Sequence, residues 1–224
     1  MAEGIGAILT YAVGVAISPL PIIAVTLMLF SARARVNGPM FLAGWVVALG
    51  AVTAAAYLLA DVGDAATDET ASDTISWGKI AFGVLLLLLA AKQWRSRPAP
   101  GAEPEMPKWM AGIDSFAPGK AFELGVIGIL NPKNLLLSIG AAASLAQLGL
   151  STTDAVVSLI VFVVVGSLTV VGPVVYYLVG GDKARTALDG MKGWLAVHNA
   201  AVMTVLFLVF GVKLIGDGLP VLGG

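Results

Sequence analysis

In the stretch GILNPKNLLLS, residues 128–138, two asparagines, a proline and a lysine interrupt a run that is otherwise apolar. Asn131 and Asn134 bring donors and acceptors, Pro132 removes a main-chain donor, and Lys133 brings a charge with three donors. An ammonium near the centre of a membrane helix costs about 2.5–3.5 kcal/mol on insertion scales, so it needs a partner, a wet cavity or a task. Two roles are open to Lys133. It is a cationic anchor for an anionic or polar substrate head, or it snorkels or caps carbonyls freed by the break. A second apolar run, SPLPII at residues 18–23, is broken in a similar way by Ser18, Pro19 and Pro21. The candidate binding or translocation residues are therefore Ser18, Pro19, Pro21, Asn131, Pro132, Lys133 and Asn134. Glu123 and His198 are candidates for coupling. Glu123 would be a proton carrier or a distant counter-charge to Lys133, and His198 a pH-sensitive gate; simple interfacial solvation is the competing reading of each.

Such residues need spans to hold them. With 58% hydrophobic and 12% charged residues and a mean hydropathy of +0.92, the chain is far more apolar than soluble domains. It reads as an integral membrane protein. A net charge of −1 gives no basic face for nucleic acid. The lack of cysteine removes disulfides, thiolate metal sites and thiol redox chemistry. Neither a P-loop nor H-E-x-x-H nor G-x-S-x-G occurs, so ATP-driven transport by this chain alone and hydrolase chemistry lack support. No enzyme activity, cofactor or metal is expected; intramembrane carboxylates are too scarce to favour a metal cation as cargo.

Six stretches are long and apolar enough to span a bilayer: about 5–30, 39–60, 76–94, 120–149, 153–179 and 196–217. They lack the alternation of barrel strands, and isolated strands would leave backbone groups unpaired in lipid. The fold class is therefore all-α, with six membrane helices. Lysine and arginine set the orientation. Arg33 and Arg35 follow the first span, Lys92, Arg95, Arg97, Lys108 and Lys120 the third, and Lys183, Arg185 and Lys192 the fifth. These connections are assigned to the cytoplasm. The acidic connection with Asp61, Asp64, Asp68 and Glu69, and the neutral LGLSTTD, then lie outside, as do both termini. Glu3 and the absence of a short h-region with a cleavage site mark the first segment as a retained span. The expected organisation is a first three-helix repeat at 1–95, a cytoplasmic linker at 96–119 and a second repeat at 120–224. Within the linker Trp109, Met110, Ile113 and Phe116 suit a short interfacial helix, as does RTALDGMKGWLAVHN before the last span; headgroup-anchored loops are the alternative.

SPLPII aligns with NPKNLL at 131–136, pairing Pro19 with Pro132. Gly44 and Gly50 then pair with Gly166 and Gly172, and Lys92 with Lys213. Three spans per half is an odd number, so the halves would enter from opposite sides as an inverted repeat, a common plan of secondary transporters. Proline breaks helices. Counting residues brings the breaks of spans one and four together near the midplane, where unwound backbone survives only if packed or lining a wet cavity.

SPLPIIAVTLMLFSARAR, GPMFLAGWVVALG, the central linker and ILNPKNLLL resemble the GAP family, the peptidoglycolipid-addressing proteins of actinobacteria, grouped with the LysE-type exporters. The resemblance covers nearly the whole chain and is sharpest at Ser18 to Pro21, Gly44-Trp45 and Asn131 to Asn134. It implies a six-span transporter of the cytoplasmic membrane that moves glycolipids towards the cell envelope, with the breaks around Pro19 and Pro132 lining the route. Its expected partners are a lipid or glycolipid substrate and the surrounding membrane lipids. Small residues at Ala141, Ala142, Ala143 and Ser144 would allow a lateral opening or close packing. Other readings are an exporter of a small solute such as an amino acid, a channel, and a non-transporting factor that docks lipid-synthesis enzymes through the linker. An electron carrier of the same superfamily would need paired cysteines. On the substrate-anchor reading, Lys133→Ala abolishes export while folding and insertion persist.

Overall fold

A computed structural model describes residues 1–64, 69–97 and 116–219. Trp109, Met110 and Ile113 of the linker and Asp68 of the acidic connection lie outside that set. The described residues form eight helices and no strand: α1 Ala2–Ala16, α2 Pro19–Met28, α3 Ala34–Asp64, α4 Glu69–Arg95, α5 Pro118–Ile129, α6 Pro132–Ala146, α7 Thr152–Gly180 and α8 Asp182–Gly218. Four of these, within α3, α4, α7 and α8, are long and apolar enough to cross a membrane, and six spans result if each bent pair counts as one. The bent pairs are α1 with α2, at 55°, and α5 with α6, at 62°. Large apolar side chains such as Leu58, Leu59, Val164, Val179 and Val212 are exposed along the helices. Such surfaces would be a liability in water and suit a lipid surround.

The interruptions have a local cause that proline alone does not supply. Pro39 sits inside α3 and Pro173 inside α7 without ending either helix; glycine precedes each. At the two breaks, by contrast, Ser18 precedes Pro19 and Asn131 precedes Pro132, and each of these is the N-cap of a new helix with proline in its first turn. A capping residue followed by proline is a start signal, since the cap takes extended dihedrals and proline is preorganised for the first helical position. Ser18 (φ −120, ψ 95) and Asn131 (φ −68, ψ 144) adopt such dihedrals. Gly181, with φ +53, makes the abrupt turn from α7 into α8.

RTALDGMKGWLAVHN does not form a separate interfacial helix. It is the first part of α8, which runs unbroken for 37 residues. Gly190 and Gly193 are not followed by proline, so nothing stops the helix. At 1.5 Å per residue α8 reaches about 55 Å, well beyond a hydrocarbon core of about 30 Å.

The chain forms two compact units. The first holds α1, α2, α5, α6, α7, α3 as far as Val62 and α8 as far as Ala196. In it α1 packs on α6 and α7, and α2 on α5 and α7. Ile22 and Ile23 of α2 also bury against Leu195. Helices α3 and α5 meet through reciprocal glycines: a Cβ at Gly44 would overlap the Phe122 carbonyl, and one at Gly125 the Phe41 carbonyl. Tyr11, Phe41, Trp45 and Phe162 are fully buried. The second unit holds α4 and the remainder of α8, joined closely at Gly83 and Gly211, where neither backbone leaves room for a side chain.

Candidate functional site

The first break is an accounting problem in backbone carbonyls. The last carbonyls of a helix lack intrahelical donors. Pro19 and Pro21, having no N–H, cannot serve the Val15 and Ile17 carbonyls four residues earlier. Ile17, with φ −79 and ψ 70, lies in an inverse γ-turn, so that Ser18 N donates to Ala16 O at 2.8 Å instead of to Gly14 O. Three carbonyls, of Gly14, Val15 and Ile17, thus need donors from elsewhere.

Side chains supply them. Lys133 Nζ donates to Gly14 O at 2.8 Å, to Ile17 O at 2.9 Å and to Ser18 Oγ at 2.6 Å. Ser18 Oγ lies 2.7 Å from Val15 O and 3.0 Å from Asn134 Oδ1, with one proton to give between them. Thr169 of α7 donates its hydroxyl to Ala16 O. All three ammonium hydrogens of Lys133 are thereby spent, on the Gly14 and Ile17 carbonyls at the end of α1 and on the hydroxyl of Ser18, the N-cap of α2. Those oxygens are neutral, and the negative end of the α1 dipole adds about 0.3–2 kcal/mol of attraction for a cation placed there. Lys133 is 3% exposed, Ser18 2% and Asn134 0%, so the cluster is shut off from the surroundings.

The second break repeats the arrangement in simpler form. Pro132 deprives the Gly128 carbonyl of its donor, and Asn134 Nδ2 replaces it at 2.9 Å, with Asn131 Nδ2 at 3.5 Å. Asn131 Oδ1 caps α6 by accepting from Asn134 N at 3.3 Å. Gly128 itself packs against the Trp45 ring, with Pro21 just beyond. The two breaks therefore share one cluster, tied by Lys133 and Asn134 of α6 to Ser18.

Of the residues singled out by sequence, Ser18, Asn131, Lys133 and Asn134 join in this network, and Pro19, Pro21 and Pro132 create the vacancies it fills. Pro19 and Pro21 are buried, whereas Pro132 is exposed. Glu123 does not join them. It is exposed on α5 and pairs with Lys120 at 2.7 Å, one turn earlier. His198 is an exposed residue of the second unit. Ala141 and Ala142 are buried on α6, which packs on α1, and Gly140 meets the Tyr11 ring.

Sequence reasoning missed Thr169, a single hydroxyl in an apolar run, and three buried polar atoms without a hydrogen-bond partner: Trp45 Nε1, Ser138 Oγ and Ser167 Oγ. Ser138 stands one helical turn beyond Asn134 on the same face of α6. Ser167 adjoins Gly166, which packs on Val15 and Leu49. Buried polar groups are nearly always satisfied, so an orphan marks a place for water or a ligand. Among the described residues no group of three or more histidine or acidic side chains could hold a metal.

No curated protein and no solved structure matches this chain. A family model does, over residues 8–220, and its reach includes Ser18 to Pro21, Gly44-Trp45 and Asn131 to Asn134. By that match the chain belongs to the SfLAP family, described as Sap, sulfolipid-1-addressing protein.

Proposed function

We propose that this protein exports a glycolipid or similar amphipathic lipid across the cytoplasmic membrane towards the cell envelope. The carrying observation is the shared cluster at which two interrupted apolar helices meet, Lys133 of one filling the carbonyls of the other. The family description, which names a sulfolipid, supports a lipid as cargo. Lys133 is the structural pin of the route, because its three donors are occupied. Trp45 Nε1, Ser138 Oγ and Ser167 Oγ are buried groups of the first unit with hydrogen bonds to offer a polar head. The acyl chains remain against apolar helix surface throughout. The chain acts as a carrier and not as an enzyme.

An inverted repeat of the LysE-exporter kind underlies this reading. Exchanging α1 with α5, α2 with α6 and α3 with α7 turns the α1 and α6 contact into the α5 and α2 contact, both of which occur. It also turns the Gly44 approach to α5 into the Gly166 approach to α1. Orientation has support of the same kind. Arg33 and Arg35 share a cavity with Arg185, and Phe116 O accepts from Asn37 Nδ2 nearby, so two basic connections and the end of the linker gather at one end of the first unit. The N-terminal ammonium pairs with Asp154 at 3.2 Å, joining two segments assigned to the outside.

The test is transport by the purified protein in liposomes. Labelled glycolipid should cross without added partners, and a deletion strain should lose a lipid from its envelope and retain it inside. Movement only after a lipid-synthesis enzyme is added would favour docking, and movement of amino acids in place of lipid would favour a small-solute exporter.

A further inference from the structure

The hydrogen-bond count at the first break does not close from within. Five oxygens there need donors: the carbonyls of Gly14, Val15 and Ile17, the hydroxyl of Ser18 and the side-chain carbonyl of Asn134. Lys133 brings three protons and Ser18 one, so the protons fall one short of the acceptors. Ser18 Oγ lies nearer to Val15 O, at 2.7 Å, than to Asn134 Oδ1, at 3.0 Å, and Asn134 Oδ1 is the oxygen left short. Turning the amide over does not help. The Gly128 carbonyl, which Asn134 Nδ2 serves at 2.9 Å, would then face an oxygen.

One turn along α6 stands the complement. Ser138 is 0% exposed, and its Oγ has no hydrogen-bond partner. Asn134 and Ser138 share the buried face of α6, and residues four apart on a helix have Cβ atoms about 5–6 Å apart. A single oxygen about 2.8 Å from each of two polar atoms spans such a gap. Small residues border it: Ala141 and Ala142 continue the buried face of α6, and Gly14 of α1, whose carbonyl takes a proton of Lys133, has no side chain. The group that completes both residues accepts from Ser138 Oγ and donates to Asn134 Oδ1. A hydroxyl does both with one oxygen, whereas the oxygen of an ionised phosphate or sulfate has no proton to donate.

We propose that Ser138 and Asn134 form a binding site for a neutral hydroxyl, filled by water in the closed carrier and by a hydroxyl of the lipid's sugar head during export. The bound hydroxyl supplies the proton that the break lacks and takes the one that Ser138 has to give. The sugar assignment deepens the lipid-export reading and rests on it. Both residues are sealed from the surroundings in this conformation, so the head group reaches them when α1 and α6 part.

The experiment uses the full-length protein in detergent. Removing a buried hydroxyl that bonds to nothing leaves an unfolding midpoint unchanged or raises it, whereas removing one arm of a bridged pair lowers it. Ser138→Ala should therefore lower the midpoint, and the fall should shrink in an Asn134→Ala background. An unchanged or raised midpoint, or a fall of the same size without Asn134, would overturn the site. Native mass spectrometry then separates the sources of the hydroxyl, with monogalactosyldiacylglycerol against diacylglycerol as probes. The unaltered protein should retain the galactolipid about fivefold better, the effect of one neutral hydrogen bond, and Ser138→Ala should lose that preference. Ser158→Ala, which removes a buried hydroxyl already bonded to Asp154 O at 2.8 Å, should keep it. No preference in the unaltered protein, one that survives Ser138→Ala, or equal loss in Ser158→Ala would leave water as the occupant and overturn the sugar source. A galactolipid preference carried by Ser138 in a protein that moves no lipid in liposomes would overturn the export reading alone.

Discussion

The two helix interruptions solve one problem at different expense. In the first, prolines at positions 19 and 21 strip donors from two carbonyls, and the γ-turn at Ile17 frees a third; Ser18 serves that of Val15, and the other two are remedied by a lysine on another helix, 116 and 119 residues away in sequence. In the second, one proline frees one carbonyl, and an asparagine six residues on restores it locally. The aligned sequences differ at the decisive position, Lys133 against Leu20. Leu20 is 44% exposed, whereas Lys133 is buried. A repaired break that is local can form with its own helix pair. The first break is complete only once α6 has docked, so the correct assembly of the two halves is written into its hydrogen bonds.

This contrast can be broken by substitution. The largest effect is expected from Lys133→Met, which keeps the stem and removes all three donors. Gly14 O and Ile17 O would be left buried and unpaired at about 1–3 kcal/mol each. Its unfolding midpoint in detergent should fall further than that of any other variant here, and export should drop at least tenfold (~1.4 kcal/mol or more). A normal midpoint with lost export would instead restore Lys133 as the substrate anchor. Next, adding Pro21→Ala to Lys133→Met returns an N–H donor to the Ile17 carbonyl, the one carbonyl at this break that loses its helical donor to a proline and takes a replacement from Lys133. A double-mutant cycle on SDS-induced unfolding should give a coupling of about 1–3 kcal/mol; simple additivity would show that the lysine does not serve the Ile17 carbonyl.

Asn134→Ala should cost about 1–3 kcal/mol through the Gly128 carbonyl. Pro132→Ala should relieve that loss, and Pro19→Ala with Pro21→Ala should not. Relief by the wrong prolines would mean that the breaks are not repaired separately. The smallest effect belongs to Glu123→Gln. An exposed pair one turn apart on a helix is worth about 0.5 kcal/mol, so stability should be nearly unchanged and lipid export should proceed at the original rate. A stalled carrier would identify Glu123 as a coupling group.

Much of the plan was legible from residue types. Long apolar runs without alternation dictate membrane helices, because backbone groups in lipid must be satisfied within each segment. Ser-Pro and Asn-Pro placed both interruptions, as a cap followed by proline restarts a helix, while Gly-Pro at residues 38–39 and 172–173 left α3 and α7 continuous. Lys133 stood out because charge is expensive in an apolar run. Its duty did not. Whether an ammonium meets a substrate or two carbonyls and a hydroxyl depends on which helix end lies within 3 Å, and that helix end is formed by residues far away in the chain. Thr169 was silent for the same reason, as one hydroxyl in a valine-rich run signals nothing until α7 lies beside Ala16.

By itself, then, the sequence determined an all-helical membrane chain, the positions of its two breaks and the charged residue that needs an explanation. Those are consequences of local chemistry: hydropathy, missing amide donors and the cost of a buried charge. Tertiary structure alone decided that Lys133 closes the first break, that Trp45, Ser138 and Ser167 keep hydrogen bonds to spare, and that Arg33, Arg35 and Arg185 share one cavity. Each of these is a meeting of groups distant in the chain, and hydrogen bonds and charge convergence depend on ångström-scale distances that no run of neighbouring residues specifies.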